Sequence, residues 1–425
     1  MKTNNIFKQV KIGDVIEGLY DGPHQTPKPA LEGPVFLGIK NIRENGGIDL
    51  NEIRHISPEE FPKWTKRVLP KPGDIVFTYE ATLHRYAIIP EGLECCLGRR
   101  VALIRPNNKL VDTRYLFYYF FTNKWRSTIN KHILSGSTVD RIPLTNFKEF
   151  EIDLPSLAVQ KRISEILGTI DNKVELNQRM NQTLEDMAMT LYKHWFVDFG
   201  PFQDGEFEES ELGMIPKGWK IGCIGDIAKV KNGYAFKSSM WGKEGIPVIK
   251  IGNITPPFIS LDGVDYVAED IAEKASNFLL EVGDLLIGMT GAYIGKAAIL
   301  AKSNLRPLLN QRVGKFVSKI EGVNTIPLVY LLSIKESFRE QIRFKATGSA
   351  QPNISSKGIE SIECLLPSQN VLVDFIQLIE PIYLQMIKHQ NEVLYLSQTR
   401  DYLLPRLLSG KIELKEAEKK IEEVL

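Results

Sequence analysis

Cysteine, histidine and one-sided charge are all scarce in this sequence, and each scarcity removes a class of chemistry. Four cysteines in 425 residues, at 95, 96, 223 and 364, give no disulfide framework: Cys95 and Cys96 are adjacent and cannot form an ordinary bridge, and no Cys-x-x-Cys pair suggests zinc. Six histidines, at 24, 55, 84, 132, 194 and 389, lack metal-ligand spacing. No apolar run reaches the roughly 18 residues of a membrane-spanning helix, and residues 1–11 are too polar for a signal peptide, so the cytoplasm is the expected compartment. DExxH and HExxH signatures are absent, and Gly291 to Lys296 has a Gly-Lys pair without the spacing or the following Ser/Thr of a phosphate-binding loop. The sequence therefore offers no catalytic residue and no metal ligand.

What is present is a globular composition, 43% hydrophobic and 25% charged, enough apolar content for full cores. A net charge of +1 does not announce a nucleic-acid binder. Its distribution alternates: Lys and Arg outnumber Asp and Glu by 22 to 18 in residues 1–155 and by 19 to 14 in 217–367, but are outnumbered 11 to 5 in 156–216 and 9 to 7 in 368–425.

The strongest feature is internal repetition. Gly13-Asp14, Asn41-Ile42, Arg100-Val101, Gly136-Ser137 and Leu154-Pro155 all recur in order at a constant offset of 212, as Gly225-Asp226, Asn253-Ile254, Arg312-Val313, Gly348-Ser349 and Leu366-Pro367; Gly73-Asp74 recurs as Gly283-Asp284 at an offset of 210. The chain is a tandem duplication. Each copy opens with short β-branched or aromatic runs bounded by turn formers, such as Ile75-Val76-Phe77 and Leu285-Leu286-Ile287, and continues into a helical stretch (112–131 and 325–345). Tyr118 to Phe121 read as helical core residues.

After Leu154-Pro155 the period changes. Ile163, Leu167, Ile170, Val174, Asn177, Asn181, Leu184, Ala188 and Leu191 step by 4 and 3, a heptad seam; the same register one repeat further on reads Phe375, Ile379, Ile382, Met386, His389, Val393, Leu396, Arg400 and Leu403. Helices of about 40 residues are about 60 Å long at ~1.5 Å per residue, longer than a small domain needs. The expected fold is α+β: two tandem α/β domains (1–155 and 217–367) joined by two long antiparallel coiled-coil helices (156–199 and 368–414), with a linker at 200–216 and a charged tail at 415–425. The polar seam residues Asn177, Asn181, His389 and Arg400 either fix register or mark where the pair diverges.

These residues resemble the specificity subunit of type I restriction-modification systems over nearly the whole chain. Leu191-Tyr192-Lys193-His194-Trp195-Phe196-Val197-Asp198-Phe199-Gly200-Pro201 is similar to that family's central region. Leu212 to Trp219 looks like the entry to its second target-recognition domain, and Leu403 to Ile412 like its C-terminal region. Asp21-Gly22-Pro23-His24-Gln25-Thr26-Pro27-Lys28, Gly291-Ala292-Tyr293-Ile294-Gly295-Lys296, Leu309 to Val313 and Gly348 to Ile354 resemble domain motifs. The resemblance implies a non-catalytic subunit. Each recognition domain would read one half of a split duplex site; the helices would set the spacing and dock two methyltransferase (modification) subunits, joined by restriction (translocase-nuclease) subunits. S-adenosylmethionine, ATP and magnesium would belong to those partners, in keeping with the lack here of an acidic-Pro-Pro-aromatic tetrapeptide and a Gly-rich cofactor loop. The first domain departs from the pattern: Thr78-Tyr79-Glu80-Ala81-Thr82-Leu83-His84-Arg85 stands where the second has a glycine-rich loop. The alternatives are a two-headed coiled-coil protein scaffold and a self-sufficient enzyme with an unrecognised site.

Base edges are read by Arg, Lys, Asn and Gln, and phosphates by Lys, Arg, Ser, Thr and backbone N–H groups. The candidate DNA contacts are Gly22, His24, Gln25, Thr26, Lys28, Lys40, Asn41, His84 and Arg85 in the first domain, and Lys237, Ser238, Lys250, Asn253, Thr290, Tyr293, Lys296 and Gln351 in the second. Gly22, Gly291 and Gly295 would let backbone approach phosphate closely. Asn41 and Asn253 recur, so a shared turn role competes with base reading; the recurrence of Arg100 and Arg312 favours a structural pairing. Trp195 and Phe199 are the candidate partner interface.

Overall fold

The computed structural model describes residues 7–135, 139–302, 306–348 and 352–424. The chain divides into two compact units, Met1–Asn172 with Leu396–Leu425, and Lys173–Tyr395. Long helices run Leu157–Phe196 and Gln369–Leu408, and each is shared between the units.

In the first unit, strands Lys8–Lys11 and Glu151–Leu154 pair antiparallel and bring the two ends of the recognition domain together. Between them lie a four-stranded antiparallel sheet, ordered Ile16–Asp21, Val101–Pro106, Ile75–Thr78, Tyr86–Ile88, and a three-stranded sheet in which Ala30–Leu37 runs parallel to Cys95–Leu97. Strand Ile75–Thr78 is buried throughout, as its unbroken apolar run requires. Helix Thr113–Tyr119 is capped by the Asp112 carboxylate, which accepts from the Tyr115 N–H at 2.9 Å. It buries Tyr118 and Tyr119, followed by the buried Phe120. These rings join Phe77, Tyr86, Trp125 and Phe147 in one aromatic core; the Phe77 and Phe147 centroids are 5.0 Å apart.

The second unit repeats the plan. Lys220–Cys223 pairs with Glu363–Leu366, each at the repeat offset from its counterpart. Strands Ala228–Asn232, Val313–Ser318, Leu285–Gly288 and Ala297–Ile299 lead a six-stranded sheet, and Ile246–Ile249 runs parallel to Leu308–Leu309 in a second one. Helix Ile326–Ile334 is almost wholly buried, and Glu336–Lys345 buries Phe338 and Ile342.

The recurrent dipeptides sit where the fold demands them. Gly73 and Gly283 have φ of +87° and +94°, a backbone that suits glycine. The following Asp74 and Asp284 accept from the N–H of residue 71 or 281 at 2.8 Å. They also pair across the sheet with Arg105 (2.7 Å) and Lys315 (2.6 Å). A Cβ on Gly13 would meet the Lys148 carbonyl, and one on Gly225 the Glu360 carbonyl.

The heptad seams are largely buried: Ile163, Leu167 and Ile170 in the first unit, and Phe375, Ile379, Met386 and Val393 in the second. Within the second unit the helix segments run antiparallel, since Lys173 pairs with Glu392 at 3.3 Å while Phe196 packs on Phe375, ring centroids 4.8 Å apart. The helix ends where Phe199 turns left-handed, φ +52°, and the Asp198 N–H donates back to the Lys193 carbonyl at 2.9 Å. Of the polar seam residues, Arg400 is paired with Asp171 at 3.1 Å. The amides of Asn177 and Asn181 and Nδ1 of His389 are buried without a hydrogen-bond partner among the described residues.

Gln369–Leu408 is, by length and composition alone, long and apolar enough to cross a membrane. Its polar residues are interspersed, so no uninterrupted run appears, and Phe375, Ile379, Tyr383 and Met386 are buried within their own unit. All four cysteines are free; burial pushes the thiols of Cys95, Cys96 and Cys364 up to about 12, which leaves them protonated and unreactive.

Candidate nucleic-acid interface

In each recognition domain one loop joins a pair of antiparallel strands, and two neighbouring segments hold it. In the first domain this is 78–85, between Ile75–Thr78 and Tyr86–Ile88. The Ala81 N–H donates to the Asp140 carbonyl at 3.0 Å, and His84 Nε2 lies 2.9 Å from Asn130 Oδ1 on helix Asn123–His132. In the second domain it is 288–296. The Gly291 N–H donates to the Pro352 carbonyl at 2.8 Å, and Gly295 lies against Ile342 of helix Glu336–Lys345. Asp140 and Pro352 are related by the repeat offset, so the loops occupy one fold position although their sequences differ.

The second loop has one residue more, and the backbone turns at matching points. Gly291 and Gly295 have φ of +61° and +75°; Ala81 and His84, which stand in their places, have φ of +69° and +63°. Within this loop the first domain holds two side-chain-bearing residues left-handed, at a cost of about 1–2 kcal/mol each.

The charges differ as well. In the first domain Glu80 is bracketed by Arg100 at 2.9 Å and Arg141 at 4.0 Å, and the Arg141 guanidinium lies 5.5 Å from the Tyr79 ring centroid. In the second, the matching positions hold Thr290, Arg312 and Asn353, with Thr290 bridged to Asn353. The Arg312 side chain is exposed and has no ion-pair partner among the described residues. Arg100 thus has the structural pairing expected of the recurrent arginines, and Arg312 does not.

The candidate residues fall into three groups. His24, Gln25, Thr26 and Lys28 are exposed on the loop after Ile16–Asp21, with His24 Nε2 3.3 Å from Asp21. Lys40, Lys237, Ser238 and Lys296 are also exposed, and Lys296 Nζ lies 5.0 Å from the Tyr293 ring centroid. Thr290, Tyr293 and Lys296 share one loop, and Arg85 Nη1 reaches the Ile42 carbonyl at 3.4 Å, bringing 84–85 beside 40–42.

A second group is engaged elsewhere. Asn41 is buried; its Oδ1 accepts from the Gly38 N–H at 3.0 Å and its Nδ2 donates to the carbonyls of Asp49 and Glu52 at 3.1 Å. Asn253 does the same with Lys250 and Ser260. Both amides close their own turns, and reading a base would break those bonds. Gly22 is buried, and its close approach is to the Gly98 carbonyl rather than to an open surface. Lys250 is ion-paired with Asp265 and sits 3.6 Å over the Trp241 ring. Burial holds His84 below its usual range; its Nε2 is taken up by Asn130, and its Nδ1 is buried without a hydrogen-bond partner among the described residues. Gln351 alone lies outside the described residues.

Two recurring tyrosines, not singled out from the sequence, tie each domain to a long helix. Tyr118 Oη donates to Asp171 at 2.6 Å in the first unit, and Tyr330 Oη donates to Glu185 in the second. They are related by the repeat offset, which could have found them. Trp195 and Phe199 pack among Phe202, Trp219 and Phe375 at the end of the first long helix, with centroids 5.4–5.6 Å apart. Both stay half-exposed. Among the described residues no three His, Cys, Asp or Glu side chains converge to hold a metal ion.

The duplicated domains, each followed by a long helix, are those of a known class. A family described as "Type I restriction modification DNA specificity domain" matches residues 7–186 and again 216–395, and the chain belongs to that family, as a specificity subunit with two domains in tandem. It is similar to the MjaIX specificity subunit of Methanocaldococcus jannaschii, 29% identical over 85% of this chain and 83% of that protein. It also resembles the HindI specificity subunit of Haemophilus influenzae, 22% identical over 96% and 99%. The crystal structure of a type I restriction-modification S subunit from M. genitalium shares the fold, with a TM-score of 0.59 at 16% identity over 96% of this chain and 97% of that one.

Proposed function

We propose that the chain acts without catalysis of its own, as a two-part reader of duplex DNA. Domains 1–155 and 217–367 each read one half of a split site, and the helical regions 156–199 and 368–414 set the separation of the halves as an antiparallel coiled coil. The observation that carries this reading is one scaffold built twice with two different loops: the paired strands, Gly-Asp turns and anchoring tyrosines repeat, while 78–85 and 288–296 do not. Keeping the frame and changing the loop is what reading two different sequences requires.

Contacts fall to the exposed side chains of His24, Gln25, Thr26, Lys28 and Lys40 and the half-buried Arg85 in the first domain, and to the exposed Lys237, Ser238, Lys296 and Arg312 and the half-buried Thr290 and Tyr293 in the second. The cations meet phosphate or guanine, and Gln25 meets adenine. The helices dock two methyltransferase subunits. Leu176, Met180 and Met187 form an exposed apolar stripe on the first long helix, and Trp195 and Phe199 extend the docking surface at its end. Restriction subunits join this core. S-adenosylmethionine, ATP and magnesium are bound by the partners, which methylate an adenine flipped from the stack. The whole complex works in the cytoplasm.

The test is co-expression with a methyltransferase subunit of the same system, followed by sequencing that maps N6-methyladenine in the host DNA. One split motif, two short halves around an unspecified spacer, is the expected result. An assembled, active complex that methylates no motif would overturn the reading.

A further inference from the structure

Between the two loops that carry most of the candidate contacts, each domain holds a short turn. In the first domain Asp21 lies opposite Ala102, and Thr78 opposite Val101. The loop that begins at Gly22, the turn 98–101 and the loop 78–85 therefore leave the sheet at one end, with the turn in the middle. Its backbone is bonded to both neighbours: the Gly22 N–H donates to the Val101 carbonyl at 3.0 Å, and the Tyr79 N–H to the Arg100 carbonyl at 3.2 Å. The Gly98 N–H donates to the Leu37 carbonyl at 2.7 Å, which brings in the stretch leading to Lys40. The second domain repeats this. Asn232 lies opposite Gly314, and Gly288 opposite Val313. In the turn 310–313, the N–H groups of Asn310 and Gln311 donate to the carbonyls of Ile249 at 3.1 Å and Tyr234 at 3.0 Å, and the Arg312 carbonyl accepts from Met289 at 3.1 Å.

Both turns close alike, with the Val101 N–H donating to the Gly98 carbonyl at 3.2 Å and the Val313 N–H to the Asn310 carbonyl at 3.0 Å. Arg99 and Gln311 thus share one corner position, and both are exposed. Arg99, unlike Arg100, has no ion-pair partner among the described residues. The two residues that follow, Arg-Val, are the same in both copies; the corner residue is not. An exposed Arg or Gln is ordinary on a protein surface. A held backbone, a free side chain and candidate contacts on either side, twice over, are not. The side chains are also the two that match purine edges in the major groove: Arg donates to O6 and N7 of guanine, and Gln accepts from N6 and donates to N7 of adenine.

We propose that this corner is a base-reading position in both domains: Arg99 reads a guanine in the half-site of the first, and Gln311 an adenine in the half-site of the second. This rests on the reading of the chain as a two-part DNA reader and assigns to it one specificity-determining residue per half.

The test uses the full chain assembled with its methyltransferase subunits, and a duplex bearing the mapped motif in which each purine is replaced in turn by its 7-deaza analogue, which keeps base pairing and removes the N7 acceptor. Wild type should lose affinity severalfold at one guanine of the first half and one adenine of the second. Arg99→Ala should bind the intact motif about tenfold or more weakly and become indifferent to that guanine alone; Gln311→Ala should do the same at that adenine. Arg99→Lys should not restore discrimination, because one ammonium does not reproduce the paired donors. Melting temperatures of the alanine variants should match wild type, so that lost binding is not lost folding. If R99A weakens binding equally on all sequences and lowers the salt slope by about one, or if R99K matches wild type, Arg99 is a phosphate contact and the assignment fails. It fails also if the first half contains no guanine, or if Q311A keeps its sensitivity to every adenine. Those outcomes leave the two-part reading standing. A wild-type complex with no preference for the mapped duplex would bring down both.

Discussion

The two recognition domains differ least where the chain must turn and most where it faces outward. Their Gly-Asp turns, end-closing strand pairs and helix-anchoring tyrosines superpose in sequence at offsets of 210 or 212. The loop between the central strands keeps its backbone conformation but not its residues: left-handed turns fall at Ala81 and His84 in one copy and at Gly291 and Gly295 in the other. The comparison teaches that the backbone path is part of the scaffold and the side chains upon it are free to change. The same holds for charge: one copy neutralises its arginine with Glu80, and the other leaves Arg312 exposed and unpaired among the described residues.

The largest contrast should come from the cross-sheet ion pairs. Asp74 is almost fully buried and receives two hydrogen bonds from Arg105, at 2.8 and 2.7 Å. Asp284 is more exposed and meets Lys315 through one. Asp74→Ala, which strands a partly buried guanidinium, should destabilise the first unit by about 3–5 kcal/mol; Asp284→Ala should cost the second about 1–2 kcal/mol. Thermal melts of the two variants check the order, and equal losses would mean that the scaffolds are not tuned separately.

A second contrast lies in the seam, where Asn177 and His389 hold equivalent positions. Both are buried with unpartnered polar atoms. Asn177→Leu should raise stability by about 1–3 kcal/mol by removing an unsatisfied amide. His389 is held below its ordinary value of 6.5 by burial, so the folded state binds its proton less readily than the unfolded chain. Its contribution is complete above about pH 6.5 and is lost as pH falls towards the depressed folded value. His389→Leu should therefore flatten the fall in melting temperature between pH 7 and pH 5; an unchanged slope would show that His389 is not the group responsible.

Smaller effects of opposite sign are expected at the left-handed positions. Ala81→Gly should stabilise the first unit by up to about 1 kcal/mol, while Gly291→Ala should destabilise the second by about 1 kcal/mol. The same sign at both sites would break the equivalence of the loops. The smallest change in stability belongs to Arg312→Ala. It should leave the melt untouched and reduce the salt dependence of DNA binding by about one unit of slope. Arg100→Ala should do the reverse, since it leaves Glu80 with only the more distant Arg141.

Much of this frame is legible in the residues themselves. The repeat offset exposes the duplication because glycine, aspartate and proline stand where geometry leaves little choice, and a heptad spacing of 4 and 3 is a direct image of a helical seam. The contact surface is less legible. Asn41 and Asn253 have the composition of base readers, but whether an amide faces solvent or closes its own turn depends on carbonyls from a later stretch of the same loop, such as those of Glu52 and Ser260, which no local pattern encodes. The loss of glycine from 78–85 suggests a different backbone, yet Ala81 and His84 adopt the same one under the hold of neighbouring segments.

The central claim is that the two copies read independently on one frame. The most direct measurement replaces residues 1–155 with the corresponding domain of another family member, assembles the chimera with the same methyltransferase subunits, and maps N6-methyladenine across the host DNA. The account predicts a motif in which one half is new and the other half and the spacer length are unchanged. A chimera that assembles and methylates, but keeps both halves of the original motif or alters both, would contradict it.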